Sequence, residues 1–422
     1  MDTLRSVDHA MMREMNTALI LECLHQHAPL SRARLADMTG LNKATVSSLV
    51  RELLDAQYIR ENGLNTGDTG RPAIQLELNP AAGAIIGAEI GVDFVSLLLT
   101  DFSAGVLWRL YERTSHLDGR DAILERVVRG LEQARDAARQ LGLPVLGVGL
   151  GVPGLVDVAT GTLLFAPNLG WTDVPLRQPL EERFDFPIYV DNEANLAALG
   201  EAYFGAAEDA RYVLYIHSSV GLGAGVVLDR RVLSGVAGFA GEVGHMTVEP
   251  NGPPCACGNH GCWETVASQR ALFERVRAAI WTGRDSWLAA ATDGHLDQIT
   301  IQLVIAAARR GDGVALDALA ETGRYLGIGL AGLINLLNPE RIVFGGMLSL
   351  AHEYLLPAMT AEIERRALRC SREGAAIVIA KYGPDACAIG GVATVYHRVL
   401  SSPLAGREPR DGKPRPADAL RF

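Results

Sequence analysis

No uncharged stretch of this 422-residue chain exceeds 17 residues, the two longest being Gln140–Val156 and Tyr212–Leu228. A membrane-spanning helix needs about 20 apolar residues, and both stretches are rich in glycine, which suits strand–turn–strand segments better. The first residues, Met1-Asp2-Thr3-Leu4-Arg5, lack the basic-then-apolar pattern of a secretory leader. The expectation is a cytoplasmic protein without membrane contact. An excess of positive charge is also missing: 39 Lys and Arg stand against 49 Asp and Glu, a net charge of −10. That argues against an indiscriminate binder of polyanions. Cysteine is scarce, six in all, and in a reducing compartment such residues read as metal ligands before disulfides.

What is present is ordinary for a globular chain: 48% hydrophobic and 21% charged residues. At roughly 150 residues per domain the length suggests two to three domains. Residues 1–80 hold 8 basic and 10 acidic side chains, so a nucleic-acid surface there is basic only locally. Within them, Ser31 is placed to cap a short helix with Leu35 and Ala36 on its apolar face, and Gly40 supplies the turn after it. Asn42 caps the next helix, where Val46, Leu49, Val50, Leu53 and Leu54 recur with helical period. Lys43, Thr45, Ser47, Ser48 and Arg51 lie off that stripe, short donors and cations suited to phosphates and base edges. Two short helices joined by a glycine turn make a helix-turn-helix. Strands at Tyr58–Glu61 and Gln75–Leu78 then form a wing, with Arg71 of Gly70-Arg71-Pro72 at its tip for a narrow minor groove. The candidate DNA-binding residues are Asn42, Lys43, Thr45, Ser47, Ser48 and Arg71.

From Ala84 to Leu400 the pattern is strand, turn, strand, helix, twice over, which suggests an α/β body of two lobes with a cleft between them. The last twenty residues, with 5 basic and 3 acidic groups, 4 prolines and no apolar periodicity, read as a solvated tail. The expected domains are therefore 1–80, 81–400 and a tail at 401–422. Between Gly244 and Cys262, three cysteines (Cys255, Cys257, Cys262) accompany His245 and His260. Three thiolates and one imidazole form a closed tetrahedral set for structural zinc. Cys23, Cys370 and Cys387 stand alone and are expected as core residues.

The winged helix ending in Gly70-Arg71-Pro72, the glycine-rich segment Gly221–His245 and the cysteine cluster together resemble the ROK family (repressors, open-reading-frame proteins, kinases). Within it they resemble the transcriptional-regulator branch that holds the xylose and N-acetylglucosamine repressors. The resemblance covers nearly everything from Met11 to Leu400. It implies an actin-like, ribonuclease-H-like two-lobe fold with a sugar in the cleft, and it selects His245 over His260 as the zinc ligand beside Cys255, Cys257 and Cys262. By the same resemblance Gly154, Asn168, Asn192, Glu193, Glu242, His245 and Glu264 are sugar-binding, with His245 shared between metal and sugar.

The sugar kinases of the family read Asp-x-Gly-Gly-Thr-Lys at their first phosphate loop, and the matching residues here are Glu89-Ile90-Gly91-Val92-Asp93-Phe94. A glycine and the cation are gone, and Glu193 stands where the family places a catalytic aspartate. The resemblance therefore implies a sugar-responsive repressor without ATP or catalytic residues. It would bind operator DNA as a homodimer or dimer of dimers, with xylose, glucose or N-acetylglucosamine as candidate effectors. The alternative is a sugar kinase with an appended DNA-binding domain.

Overall fold

The computed structural model describes residues 9–65, 73–115 and 118–401. Two five-stranded sheets with the same strand order form the body. In the first, Ala84–Ile90 pairs in parallel with Val145–Val152, which pairs in parallel with Ile188–Asn192. On its other side Ala84–Ile90 pairs antiparallel with Phe94–Asp101, and that strand with Val106–Arg113. In the second sheet Tyr212–Ser218 takes the central place, parallel to Arg341–Gly345 and through it to Ala376–Ile379. Its antiparallel neighbours are Leu222–Leu228 and then Arg231–Val232. Every residue of Ala84–Ile90 is buried, the mark of a strand covered on both faces. The edge strand Val106–Arg113 instead alternates toward solvent.

The lobes are joined by exchanged helices. Glu193–Phe204 leaves the last strand of the first sheet and packs on Tyr212–Ser218 and Leu222–Leu228 of the second. Ala386–Ser401 leaves the last strand of the second sheet and packs on Ala84–Ile90 and Val145–Val152 of the first. Where the two helices cross there is no room for a side chain: a Cβ on Gly390 would stand 1.8 Å from the Leu196 carbonyl oxygen. The two helices are therefore in direct backbone contact where they cross.

The N-terminal part follows its local signals. Ser31 Oγ accepts from Arg34 N, and Gly40 takes the left-handed conformation (φ 70°) that ends helix Arg32–Thr39. Asn42 Oδ1 accepts from Thr45 N at 2.8 Å to start helix Lys43–Asp55. Caps of this kind are worth about 1 kcal/mol each. Val46, Leu49, Val50 and Leu53 are buried, while Leu54 is only partly covered. The wing strands are Ile59–Asn65 and Ala73–Leu78, with an irregularity between Glu61 and Leu64 that carries the first strand past Gly63. A third short strand, Leu30–Ser31, completes this sheet. Arg71 lies outside the described residues, as does the tail from residue 402 onward. A helix at His9–His27 precedes the helix-turn-helix and docks on Ala386–Ser401 of the body. No helix among the described residues is long and apolar enough to cross a membrane.

One expectation is corrected. Cys387 is buried, but Cys370 is exposed, because its five-residue helix Arg369–Glu373 buries none of its residues.

Candidate functional site

The cleft between the lobes narrows to a small polar pocket. Gly154 and Asn192 line it from the first lobe, Ala224, Phe239 and Glu242 from the second. Gly154 has φ 104°, and a Cβ there would meet the Phe165 carbonyl oxygen at 2.2 Å. Asn192 has much of its hydrogen bonding already committed. Its Oδ1 caps helix Glu193–Phe204 through Ala194 N at 2.8 Å, and its Nδ2 donates to Gly154 O at 2.9 Å. These two bonds fix the cavity wall. Beside it, burial raises the Asp191 carboxyl above its usual range although Asn195 and the Asn192 amide hydrogen-bond to it.

The metal-type cluster stands next to this space. Ligand atoms of His245, Cys255, Cys257 and Cys262 all lie within 4.8 Å of one another. His245 Nδ1 is 3.6 Å from Cys255 Sγ, and Cys257 Sγ is 3.7 Å from Cys262 Sγ. Tetrahedral bonds of about 2.3 Å to sulfur and about 2.0 Å to nitrogen imply edges of about 3.8 Å and about 3.5 Å, so these residues could hold such an ion. The Asn259 backbone N–H draws the Cys257 thiol below its usual range, toward the ligating thiolate. His260 is not part of the group. The loop is anchored by Trp263, fully buried, whose Nε1 donates to Tyr325 O at 2.8 Å.

His245 faces two ways. Its Nδ1 points to the sulfurs, and its Nε2 lies 3.9 Å from Glu242 Oε2. With Nδ1 toward a metal, Nε2 keeps the proton and can donate into the cleft. Glu242 is raised above the usual carboxylate range by desolvation in the cleft, with Glu264 and Glu193 adding to it. Glu264 Oε1 accepts from the Cys255 thiol at 3.0 Å and lies 3.7 Å from His245 Nδ1. Its Oε2 is turned to Gly221: a Cβ there would be 3.3 Å from it and 3.5 Å from Asn168 Nδ2. Asn168 sits in the turn between strands Thr162–Ala166 and Trp171–Pro175, part of a small three-stranded sheet that no pattern in the sequence announces. Gly154, Asn168, Asn192, Glu242, His245 and Glu264 thus line one cleft or its rim. Glu193 is set apart, its carboxylate 3.8 Å from His217 Nε2 at the back.

Behind it lies Glu89, 3% exposed, its carboxyl held well above the usual range by burial and by Glu193. The turn after it is covered. A Cβ on Gly91 would stand 2.3 Å from the ring of Phe94, which itself stacks on Tyr111 at 5.4 Å between centroids.

On the N-terminal domain, Asn42, Lys43, Ser47 and Ser48 are exposed and Thr45 partly so, all near the start of one helix. Asn42 spends its oxygen on the cap, and Ser47 Oγ donates to Lys43 O at 2.8 Å. Contacts that no local sequence pattern marks are those of Arg230 with Glu22 at 3.5 Å, of Tyr396 with His25 at 2.9 Å and of Arg270 with Asn168 at 3.3 Å, each between distant segments.

The winged helix-turn-helix DNA-binding model matches residues 17–60. The xylose repressor of Caldicellulosiruptor bescii is 34% identical, over 94% of this chain and 99% of its own length. A crystal structure of a ROK family transcriptional regulator, a homolog of the E. coli MLC protein, superposes with a TM-score of 0.80 at 30% identity, over 93% of this chain and 97% of its own. A ROK family glucokinase from Streptomyces griseus, solved with glucose and AMPPNP, gives a TM-score of 0.67 at 33% identity, over 74% of this chain and 99% of its own. With the ROK family model matching residues 85–398 as well, the chain belongs to the ROK family.

Proposed function

We propose that the chain is a sugar-responsive repressor of carbohydrate-utilisation genes, with residues 1–80 binding operator DNA and residues 81–400 binding a small sugar. The observation that carries this reading is the docking of helix His9–His27 on the exchanged helix Ala386–Ser401. A ligand that changes the angle between the lobes thereby changes the seating of the DNA-binding domain. The effector would be a neutral sugar such as xylose, glucose or N-acetylglucosamine, held by Asn168, Asn192, Glu242, His245 and Glu264. Charge-assisted bonds from hydroxyls to carboxylates are about twice as strong as neutral ones. Zinc held by His245, Cys255, Cys257 and Cys262 would be structural, fixing the loop that carries Glu264.

A kinase reading is less well supported. The Phe94 ring occupies the face of Gly91 where backbone amides would have to meet phosphate, and Glu193 faces His217 at the back of the cleft instead of lining the pocket. The first 80 residues lie largely beyond the reach of the glucokinase, which covers 74% of the chain.

Operator binding would be symmetric, by a homodimer or a dimer of dimers, with half-sites about 34 Å apart or a multiple of that. Lys43→Ala and Ser48→Ala are each expected to weaken binding by about 1–3 kcal/mol wherever the side chain reads a base edge, on a fragment enriched from a random DNA pool. A gel shift measures this, and unchanged affinity in both variants removes this helix from the groove. Glu264→Ala tests the sugar reading: it should hold DNA as tightly as wild type and fail to release it at sugar concentrations that free the wild type. A stable Glu264→Ala protein with normal release would take Glu264 out of the site.

A further inference from the structure

One hydrogen bond crosses the mouth of the cleft. Arg270, in the first turn of helix Gln269–Trp281 of the second lobe, donates from Nη2 to Asn168 Oδ1 of the first lobe at 3.3 Å. Arg270 forms no ion pair among the described residues, although Glu193, Glu242 and Glu264 make the cleft acidic. We propose that Arg270 is a specificity-determining positioning residue. It holds the Asn168 carboxamide so that the amide donor and Glu264 together bracket a single ligand hydroxyl. This proposal rests on the sugar-binding reading and adds how one hydroxyl is read.

What matters is which end of a symmetric-looking group faces inward. A carboxamide has an acceptor end and a donor end of nearly the same shape, and a guanidinium, with donors only, can take just the oxygen. The Nδ2 donor of Asn168 is therefore left facing Gly221. The Glu264 carboxylate is oriented too, with its Oε1 turned toward the metal-type cluster, 3.7 Å from His245 Nδ1. Its Oε2 is left facing Gly221 too. The point a Gly221 Cβ would take lies 3.5 Å from the donor and 3.3 Å from the acceptor. A ligand hydroxyl packed in front of the Gly221 Cα, in van der Waals contact with it and between the two groups, can accept from the amide and give its proton to the carboxylate, which uses both of its capacities at once. Glycine at 221 leaves that space free.

Without Arg270 the amide oxygen is no longer held outward. Turned about, Asn168 would present an oxygen next to the Glu264 oxygen, and one hydroxyl proton cannot serve both acceptors. The selectivity for that hydroxyl, and not the general affinity of the cleft, is what Arg270 would contribute.

The test uses full-length protein and calorimetry with D-xylose, D-glucose and N-acetylglucosamine, followed by each monodeoxy analogue of whichever sugar binds. Wild type should lose about 10–100-fold in affinity for one analogue more than for the rest, the cost of leaving a charged group without its partner. In Arg270→Met, which keeps the alkyl stem, that one penalty should shrink to about threefold or less, while affinities for the other analogues keep their order. In an Asn168→Ala background Arg270→Met should change nothing further. Gly221→Ala gives a second route: its methyl fills the bracket, so the parent sugar should lose affinity while the marked analogue, lacking that hydroxyl, loses far less. An Arg270→Met protein that retains the full wild-type pattern of penalties overturns this proposal alone. So does one that loses the same factor with every analogue and also in the Asn168→Ala background. A wild-type protein that binds none of the three sugars overturns the sugar reading and this proposal together.

Discussion

Replacing Cys262 by serine is expected to abolish metal binding, taking the zinc content from about one per chain to none by elemental analysis. Cys262 is fully buried, its sulfur 3.7 Å from Cys257 Sγ. A neutral hydroxyl there supplies no thiolate, and three remaining donors do not close a structural site. In small modules such sites contribute apparent binding energies of about 10–16 kcal/mol. Here the loss should fall locally, because both lobes have cores of their own and Trp263 stays bound to Tyr325 O. The loop from Pro253 to Gly261 should become open to proteolysis, and His245 and Glu264 should lose their fixed orientation. Sugar response should therefore fail together with metal content, while the melting transition of the body remains cooperative. Cys370→Ser is the control, since Cys370 is exposed outside this group, and it should keep its metal and its response. Wild-type protein that is free of metal yet fully responsive to sugar would show that the thiols fold this loop unaided.

The parts of this molecule written in short-range signals were legible in the sequence. Ser31, Gly40 and Asn42 act within three or four residues of themselves, and the structure shows each as a helix cap. The cysteine cluster is equally local, spanning Cys255 to Cys262. The repeated strand–turn–strand–helix pattern announced the two α/β lobes, and the structure shows two sheets of the same strand order. What stayed hidden depends on sequence-distant pairs. Arg270 meets Asn168 across 102 positions, and His25 meets Tyr396 across 371. Gly390 reads as an ordinary weak point in a helix until the Leu196 carbonyl is brought against it. Helix His9–His27 has no clean apolar stripe, and it packs both on its own domain and on Ala386–Ser401 of the body. Cys370 departs from expectation for a related reason: an isolated cysteine carries no mark of whether its short helix will be covered.

Arg230→Met is expected to leave sugar binding within about threefold of wild type and to abolish most of the sugar's effect on DNA. Arg230 lies in the turn between strands Leu222–Leu228 and Arg231–Val232 of the second lobe. Its side chain, 16% exposed, reaches Glu22 of helix His9–His27 at 3.5 Å and lies over the Tyr203 ring at 5.0 Å. Close by, Tyr396 of the exchanged helix bonds His25 at 2.9 Å. Burial and then Arg230 push His25 down to about 4, so it is neutral at pH 7 and the cation remains on the arginine. The first helix is thus held by three pieces of the body: the Arg230 turn, Tyr203 at the end of Glu193–Phe204, and Tyr396. If a bound sugar rotates the lobes, these three move relative to one another, and the first helix must follow or come away from one of them. An exposed ion pair is worth at most about 1 kcal/mol, and breaking a buried one costs about 3–5 kcal/mol. With Glu22 at 32% exposure, this pair falls between those limits, on the scale of the about 1–3 kcal/mol that usually couples two sites. Removing it can therefore erase a coupling of about 5–150-fold without unfolding either domain. Glu264→Ala and Arg230→Met would both be deaf to sugar in a gel shift, but for opposite reasons, and calorimetry separates them. The first should lose sugar affinity. The second should keep it, and bound operator should no longer alter that affinity, as the reciprocity of linkage requires. If Arg230→Met still releases DNA at wild-type sugar concentrations, the signal reaches the winged helix by a route that does not pass through this turn.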